Sequence, residues 1–453
     1  MKITVTPEKK YAFYDGIGAS GAWWSQAVGA WDDIDSVTGL PVRDAVMQLL
    51  YDKKNGIGLD IYRYNIGGGS AQSGKGNYSH PWRRTESFVT PDGKTDYTAD
   101  KNAVYMMKKA SELGAELTLF VNSPPEAMTK NGLAHCSKIM RTNLAPKKYS
   151  AFADYCLDVA EHFIGEGLNV RYISPVNEPL WVWTGGQEGC HYSPLQARRV
   201  LECFASRMNE RPALKDVRLT GAENGDIRWL NKCYTAAVLG SKTIRTRCDS
   251  IDVHSYFLKA VVPLFRNRPD YLKRFRKFVE VFYPDAKINM SEWCHMKGGR
   301  DYGMDSALET AKVMCEDFSI LNVSSWQHWI ACSCYDYCDG LIYLDEENKT
   351  YSLTKRYWVT GNFSKFIPRG ARRIEAVSDC TGVLCLAFEG SGKRVVIAVN
   401  LSENDEEITA EKDCDLFLTS AECNLAENRA SKGEKIKLPA RSVITIISEE
   451  KSE

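Results

Sequence analysis

Eight short apolar segments, each closed by Gly, Asn, Ser or Pro, recur along the chain up to about residue 331. That count restricts the fold more than any other feature of the sequence. The segments span 15–22, 59–66, 116–122, 171–176, 217–222, 250–256, 286–291 and 324–331. Helical stripes lie between them: Ala103, Val104, Met107 and Ala110; Phe152, Cys156, Val159 and Phe163; Leu272, Phe275, Val279 and Phe282, ended by Pro284. Each stripe reads as a helix face packed on a sheet. Eight strand-then-helix units make a (β/α)8 TIM barrel of the α/β class, whereas a doubly wound sheet usually needs fewer strands.

Beyond about residue 366 the texture changes. Alternating runs at 383–388, 394–399, 415–418 and 442–447 carry the pattern of an antiparallel β-sandwich. The alternating segment Lys2-Ile3-Thr4-Val5-Thr6 has no helix after it and is expected to join that sandwich. The chain therefore divides into a barrel over 13–362 and a sandwich made of 1–12 with 363–453, and 453 residues suffice for both.

Barrel sites form at the carboxyl ends of the strands, and two glutamates stand there. Glu178 lies in Ser174-Pro175-Val176-Asn177-Glu178-Pro179 after the fourth segment, and Glu292 in Ser291-Glu292-Trp293 after the seventh. A carboxylate in such a place is costly, because burial disfavours its charged form. Two of them facing across a pocket imply the acid/base and nucleophile pair of a retaining glycosidase, with carboxyl groups roughly 5 to 5.5 Å apart. As nucleophile, Glu292 must be ionised and needs donors. Arg63, ending the second segment, and Tyr256, ending the sixth, are the candidates, each with a purely structural role as its alternative. Asn177 is placed to donate to a sugar hydroxyl. Asn122, before Pro124-Pro125, ends the third segment, and His254 reads as a hydrogen-bonded wall residue rather than a base. Of the alternating indoles Trp326 and Trp329 on the eighth segment, one should face the pocket.

Gly16-Ile17-Gly18-Ala19-Ser20-Gly21 matches a dinucleotide-binding pattern letter for letter, but bulky Trp23-Trp24 follows it. The next segment has no acidic residue at its tip, so the pattern fails its own context. A tight loop that carries Trp23 to the pocket floor fits better. No cofactor is expected. The seven histidines show no zinc spacing, and Cys332-x-Cys334-x3-Cys338 lacks a second pair, so no metal is expected either.

Lys+Arg and Asp+Glu both number 58, for a net charge of zero. That leaves no basic footprint for nucleic acid or anionic membranes and points to a neutral substrate. Eleven tryptophans suit sugar binding, although most belong in a core this size. The first residues show no signal-peptide pattern, and fifteen irregularly spaced cysteines suit a reducing compartment, so the cytoplasm is expected; a trimmed leader would make the chain a secreted one. Nothing in the sequence fixes an oligomeric state.

Taken together, several motifs resemble glycoside hydrolase family 30. They are Gly16-Ile17-Gly18-Ala19-Ser20-Gly21-Ala22-Trp23-Trp24, Arg63-Tyr64-Asn65-Ile66-Gly67-Gly68-Gly69, Asn122-Ser123-Pro124-Pro125, Pro175-Val176-Asn177-Glu178-Pro179, Gln187-Glu188-Gly189-Cys190, Ser291-Glu292-Trp293 and Thr354-Lys355-Arg356-Tyr357-Trp358. The resemblance implies a (β/α)8 barrel with a side β-sandwich, hydrolysis of β-glycosides with retention, Glu178 as acid/base and Glu292 as nucleophile. Trp23-Trp24, the triple glycine and Gln187-Glu188-Gly189-Cys190 look most like the β-1,6-galactanase type, which implies an oligosaccharide or polysaccharide substrate cut in endo or exo fashion. A β-1,6-glucanase, β-glucosidase or β-xylosidase of the same family is the alternative. A catalytically silent carbohydrate-binding protein is the alternative from another class.

Overall fold

The computed structural model describes residues 1–90, 92–256 and 267–450. Eight of its strands build one sheet: β2 (Gly16–Ser20), β3 (Ile61–Asn65), β4 (Glu116–Phe120), β5 (Val170–Ser174), β6 (Arg218–Leu219), β7 (Ser250–His254), β8 (Lys287–Trp293) and β9 (Ser325–His328). Their order is β6-β5-β4-β3-β2-β9-β8-β7, and the pairs from β3 to β6, and β7 with β8, are parallel. Sequential neighbours joined by helices are the signature of the (β/α)8 barrel. Between β6 and β7 the ladder continues through the bridge Asn224↔Val253 and through the His254 N–H, which donates to the Asn224 carbonyl at 2.7 Å.

Burial is continuous along β3 and β7, as parallel strands covered on both faces require. The helices start where caps stand. Ser193 and Gln196 form a reciprocal capping box ahead of the helix Pro194–Asn209, and the Asn267 side chain accepts from the Asp270 N–H ahead of Arg268–Phe282. In that last helix Leu272, Phe275 and Val279 are buried, but Phe282 is 65% exposed. The expected stripe therefore ends one turn early, because Phe282 is the helix's last residue.

Contacts group the chain into two compact units, one of Met1–Gly18, Val46–Asp60 and Cys294–Glu453, the other of Ala19–Ala45 and Ile61–Trp293. The first holds a seven-stranded antiparallel sheet in which β1 (Ile3–Phe13) pairs with β13 (Arg372–Ser378). β14 (Val383–Gly390), β15 (Lys393–Asn400), β20 (Ser442–Glu449), β17 (Cys414–Thr419) and β18 (Ala426–Ala430) follow in order. A two-stranded sheet, β16 (Glu406–Thr409) with β19 (Lys435–Leu438), covers it. Ile408, Ile436 and Leu438 of the small sheet share a core with Val383, Ala398, Leu416 and Ile444 of the large one. β14 and β15 are joined by Ser391-Gly392, both at positive φ (52° and 73°), the two-residue turn that matches strand twist. The short strands β10 (Cys332–Ser333), β11 (Ile342–Asp345) and β12 (Thr350–Leu353) form a third sheet.

The glycine-rich segment Gly16–Ser20 is itself strand β2 and opens no helix, which removes the geometry a dinucleotide needs. Gly21 is small because a Cβ there would lie 2.0 Å from the Tyr62 hydroxyl. Among the described residues, no helix is long and apolar enough to cross a membrane.

Candidate active site

Beyond β5 the chain runs through Asn177, which bridges Glu223, to Glu178, whose φ is +40°. A non-glycine residue in that region is strained, and such strain persists only where neighbours over-determine it. Here the Glu178 N–H donates to the Glu223 carbonyl at 2.7 Å, and the Glu178 carbonyl accepts from the Trp181 N–H and the Trp183 indole, both at 3.0 Å. Glu292 lies inside β8 rather than after it. A register shift between Val253 and His254 sets His254 directly against Glu292, and such a bulge re-aims a side chain.

Three charged groups, Arg63, His254 and Glu223, meet around these two glutamates. Arg63, fully buried on β3, donates from Nη1 to Glu292 Oε2 at 2.9 Å and from Nη2 to Glu223 Oε2 at 2.9 Å and Asn177 Oδ1 at 3.0 Å. Its guanidinium lies 3.6 Å from the centre of the Phe120 ring. The Tyr256 hydroxyl donates to Glu292 Oε1 at 2.8 Å. His254 Nδ1 is 2.9 Å from Glu178 Oε1 and 3.6 Å from Glu292 Oε1, and its Nε2 is 3.2 Å from Glu223 Oε2. The Ser174 hydroxyl also donates to Glu223. One oxygen each of Glu178 and Glu292, with a nitrogen of His254, all lie within 4.8 Å of one another.

The titrations follow from these contacts. Burial pulls the His254 imidazole down, but the Glu292 charge and the hydrogen bonds to Glu178 and Glu223 outweigh it and raise it to about 10. His254 is therefore an imidazolium at neutral pH and donates from both nitrogens. Burial pushes Glu223 up, while Arg63 first, then His254 and Ser174, bring it down to about 2. Burial raises the Glu292 carboxyl against the charges of His254 and Arg63, and the balance lies above the ordinary value. Beneath them, burial and then the Glu223 charge raise Asp252, bonded to Ser250 and Asn289, to about 7.

Three glutamates around two cations leave one negative charge unbalanced, and in a buried cluster a proton neutralises it. Glu178 is the most open of the three, with 16% of its side chain exposed against 7% for Glu292 and 1% for Glu223. The arrangement thus offers a carboxylic acid, a carboxylate and a fixed positive frame, with the carboxyl oxygens closer than the roughly 6.5 Å at which a water fits between them for inversion. The same three ligand types could in principle hold a metal ion, but only if the imidazolium first lost a proton that two carboxylates hold.

The residues singled out in the sequence fall into three groups. Glu178, Glu292, Arg63, Asn177, His254 and Tyr256 form the network, and Asn122 joins it by accepting from Asn177 Nδ2 at 3.1 Å. His254 is fully buried with its two ring nitrogens against the carboxylates of Glu178 and Glu223, and so holds those groups in place. Trp23 is buried with the Arg83 guanidinium 4.6 Å from its ring centre. Trp326 and Trp329 belong to the other compact unit. There Trp326 is wholly buried with its indole donating to Asp317 Oδ2 at 3.0 Å, which commits its polar edge inward, and Trp329 is buried as well. Glu223 was not singled out, although it carries the same signature as the other two: a carboxylate directly after the apolar segment 217–222.

Several known proteins are similar to this chain. The model of O-glycosyl hydrolase family 30 matches residues 1–343. An endo-β-1,6-galactanase of Hypocrea rufa is 26% identical over 418 residues, covering 88% of this chain and 81% of that protein. An exo-β-1,6-galactobiohydrolase of Bifidobacterium longum is 28% identical over 232 residues, 39% of this chain and 15% of the larger protein. The crystal structure of a conserved exported protein from Bacteroides fragilis superposes with a TM-score of 0.86 at 24% identity, covering 99% of this chain and 100% of that one.

Proposed function

The chain belongs to O-glycosyl hydrolase family 30, and from that premise we propose that it hydrolyses β-1,6-linked galactosides with retention, Glu178 serving as acid/base and Glu292 as nucleophile. The observation that carries the assignment is the approach of the two carboxyl groups to within 4.8 Å across His254, on the retaining side of the range that separates the two stereochemical outcomes.

Glu292, its carboxylate faced by Arg63, His254 and Tyr256, attacks the anomeric carbon while Glu178 gives its proton to the departing oxygen. A covalent glycosyl-enzyme results. Glu178, now a carboxylate, takes a proton from water, and the water oxygen displaces Glu292 from the anomeric carbon. The imidazolium and guanidinium stay charged throughout and move nowhere, so their field is in place before the reaction begins.

Galactose is the proposed sugar because both named relatives act on β-1,6-linked galactose; a β-1,6-glucanase, β-glucosidase or β-xylosidase is the second reading. Matched aryl β-galactoside, glucoside, fucoside and xyloside substrates, with β-1,6-galacto-oligosaccharides of graded length, separate the two. Preference for the glucoside would replace galactose with glucose, and unchanged hydrolysis by Glu292→Gln would remove the catalytic assignment. The proposed location is the cytoplasm, where nine buried cysteines stay reduced. Disulfides detected by thiol titration of protein taken from its host would overturn that location.

A further inference from the structure

Strand β3 ends in Arg63-Tyr64-Asn65, and residues two apart on a strand share a face. Arg63 points inward, to Glu292 and Glu223. Tyr64 points the other way, its hydroxyl donating to Asp100 Oδ2 at 2.6 Å. Asn65 therefore shares the interior face with Arg63, one layer nearer the carboxyl ends, where barrel pockets open. Its side chain is buried, with only 7% of the residue exposed. Among the described residues, neither its Oδ1 nor its Nδ2 has a hydrogen-bond partner.

The neighbouring strand repeats the pattern. Asn65 is in register with Phe120, the residue that stacks on Arg63, and Asn122 lies two positions further on. Asn122 Oδ1 is engaged by Asn177, while among the described residues its Nδ2 has no partner. Two unmet donor groups and one unmet acceptor thus stand side by side on the wall formed by β3 and β4. A buried amide left unmet destabilises the fold that contains it, so three such atoms at the mouth of a charged site point to a polar ligand.

The position of this wall selects a part of that ligand. The anomeric carbon must lie between Glu178 and Glu292, both of which approach His254 on β7. Counting through β4, β5 and β6, β7 is four strands from β3, halfway round an eight-stranded barrel. In a pyranose, C4 is the ring atom across from the anomeric carbon, with C3 beside it. An amide presents one acceptor and one donor side by side, which matches two adjacent hydroxyls. Resting on the glycosidase reading above, we propose that Asn65 is a specificity-determining residue that accepts from one and donates to the other of the hydroxyls on C3 and C4 of the bound sugar.

The test compares wild type and Asn65→Ala on an aryl β-galactoside and on its 3-deoxy and 4-deoxy analogues, together with thermal unfolding of the free enzyme. The expected result is a loss of kcat/KM of about 10- to 100-fold on the parent sugar. On each deoxy analogue the loss should be smaller, since one of the two contacts is already gone. The unfolding midpoint should hold or rise, because a buried unmet amide has been removed. Equal losses on all three substrates with a lowered midpoint would make Asn65 a structural prop, and no loss on any would overturn the proposal outright. If Asn65→Ala does not fold, Asn65→Ser is expected to show the same selective loss. A wild type inactive on every β-glycoside would bring down the glycosidase reading and this proposal together. An active wild type matched by Asn65→Ala removes only the role of Asn65.

Discussion

Replacing Glu223 with Gln keeps the shape of the buried cluster and deletes one charge, which makes it a direct probe of the proton count. In the native cluster the carboxylates outnumber the cations by one, and a proton supplies the balance. In Glu223→Gln the two remaining carboxylates already match Arg63 and His254, so the cluster holds its proton less tightly. Glu223 and Glu178 are linked through the two nitrogens of His254, by contacts of 3.2 and 2.9 Å, which with the width of the imidazole between them puts the bonded carboxyl oxygens at most about 8 Å apart. At an effective dielectric of about 20 the interaction is about 2 kcal/mol, or about 1.5 pKa units. The alkaline limb of kcat/KM, followed on an unactivated disaccharide whose departure needs an acid, should therefore move about 1 to 2 pH units toward acid. Removing a negative charge lowers the macroscopic value whichever member of the cluster releases the proton. An alkaline limb that stays in place, or moves upward, would refute the charge balance.

Other outcomes follow from the same contacts. Glu178→Gln should cost far more on a β-1,6-disaccharide than on an aryl glycoside with a good leaving group, which needs no proton; equal losses on both, measured side by side, would take the acid role from Glu178. In Gly225→Ala the new Cβ would lie 2.8 Å from Glu178 Oε1, so kcat on unactivated substrates should fall at least about tenfold with the unfolding midpoint nearly unchanged. His254 is raised from 6.5 to about 10, so its stabilising effect is complete below about pH 6.5 and disappears as pH rises through 10. That effect is on the order of 5 kcal/mol, and chemical denaturation from pH 6 to 10 should show wild type losing stability that His254→Gln never had; parallel curves would contradict it.

Much of this architecture is legible in the sequence because parallel barrel strands are buried on both faces and read as plain apolar runs. Glu178 and Glu292 stand out because charge directly after such a run is expensive. Glu223 carries a fainter form of the same signal, since its strand is only Arg218–Leu219. The bulge that sets Glu292 against His254 is invisible in sequence, because a register shift depends on the partner strand. Alternation alone does not choose between Trp326 and Trp329; the acidic partner nine residues before Trp326, Asp317, decides where the Trp326 ring turns. The inward aim of Asn65 could be read from its phase with Arg63, but only the structure shows that its amide is unmet.

The central claim is that Glu292 becomes covalently glycosylated while Glu178 stands as its acid/base. A 2-deoxy-2-fluoro-β-galactosyl fluoride slows release of such an intermediate more than its formation, and peptide mass mapping then locates the sugar. The account predicts time-dependent inactivation, protection by substrate, and one sugar on the peptide containing Glu292. A label on any other residue, or products whose anomeric proton signals show inversion, would contradict it.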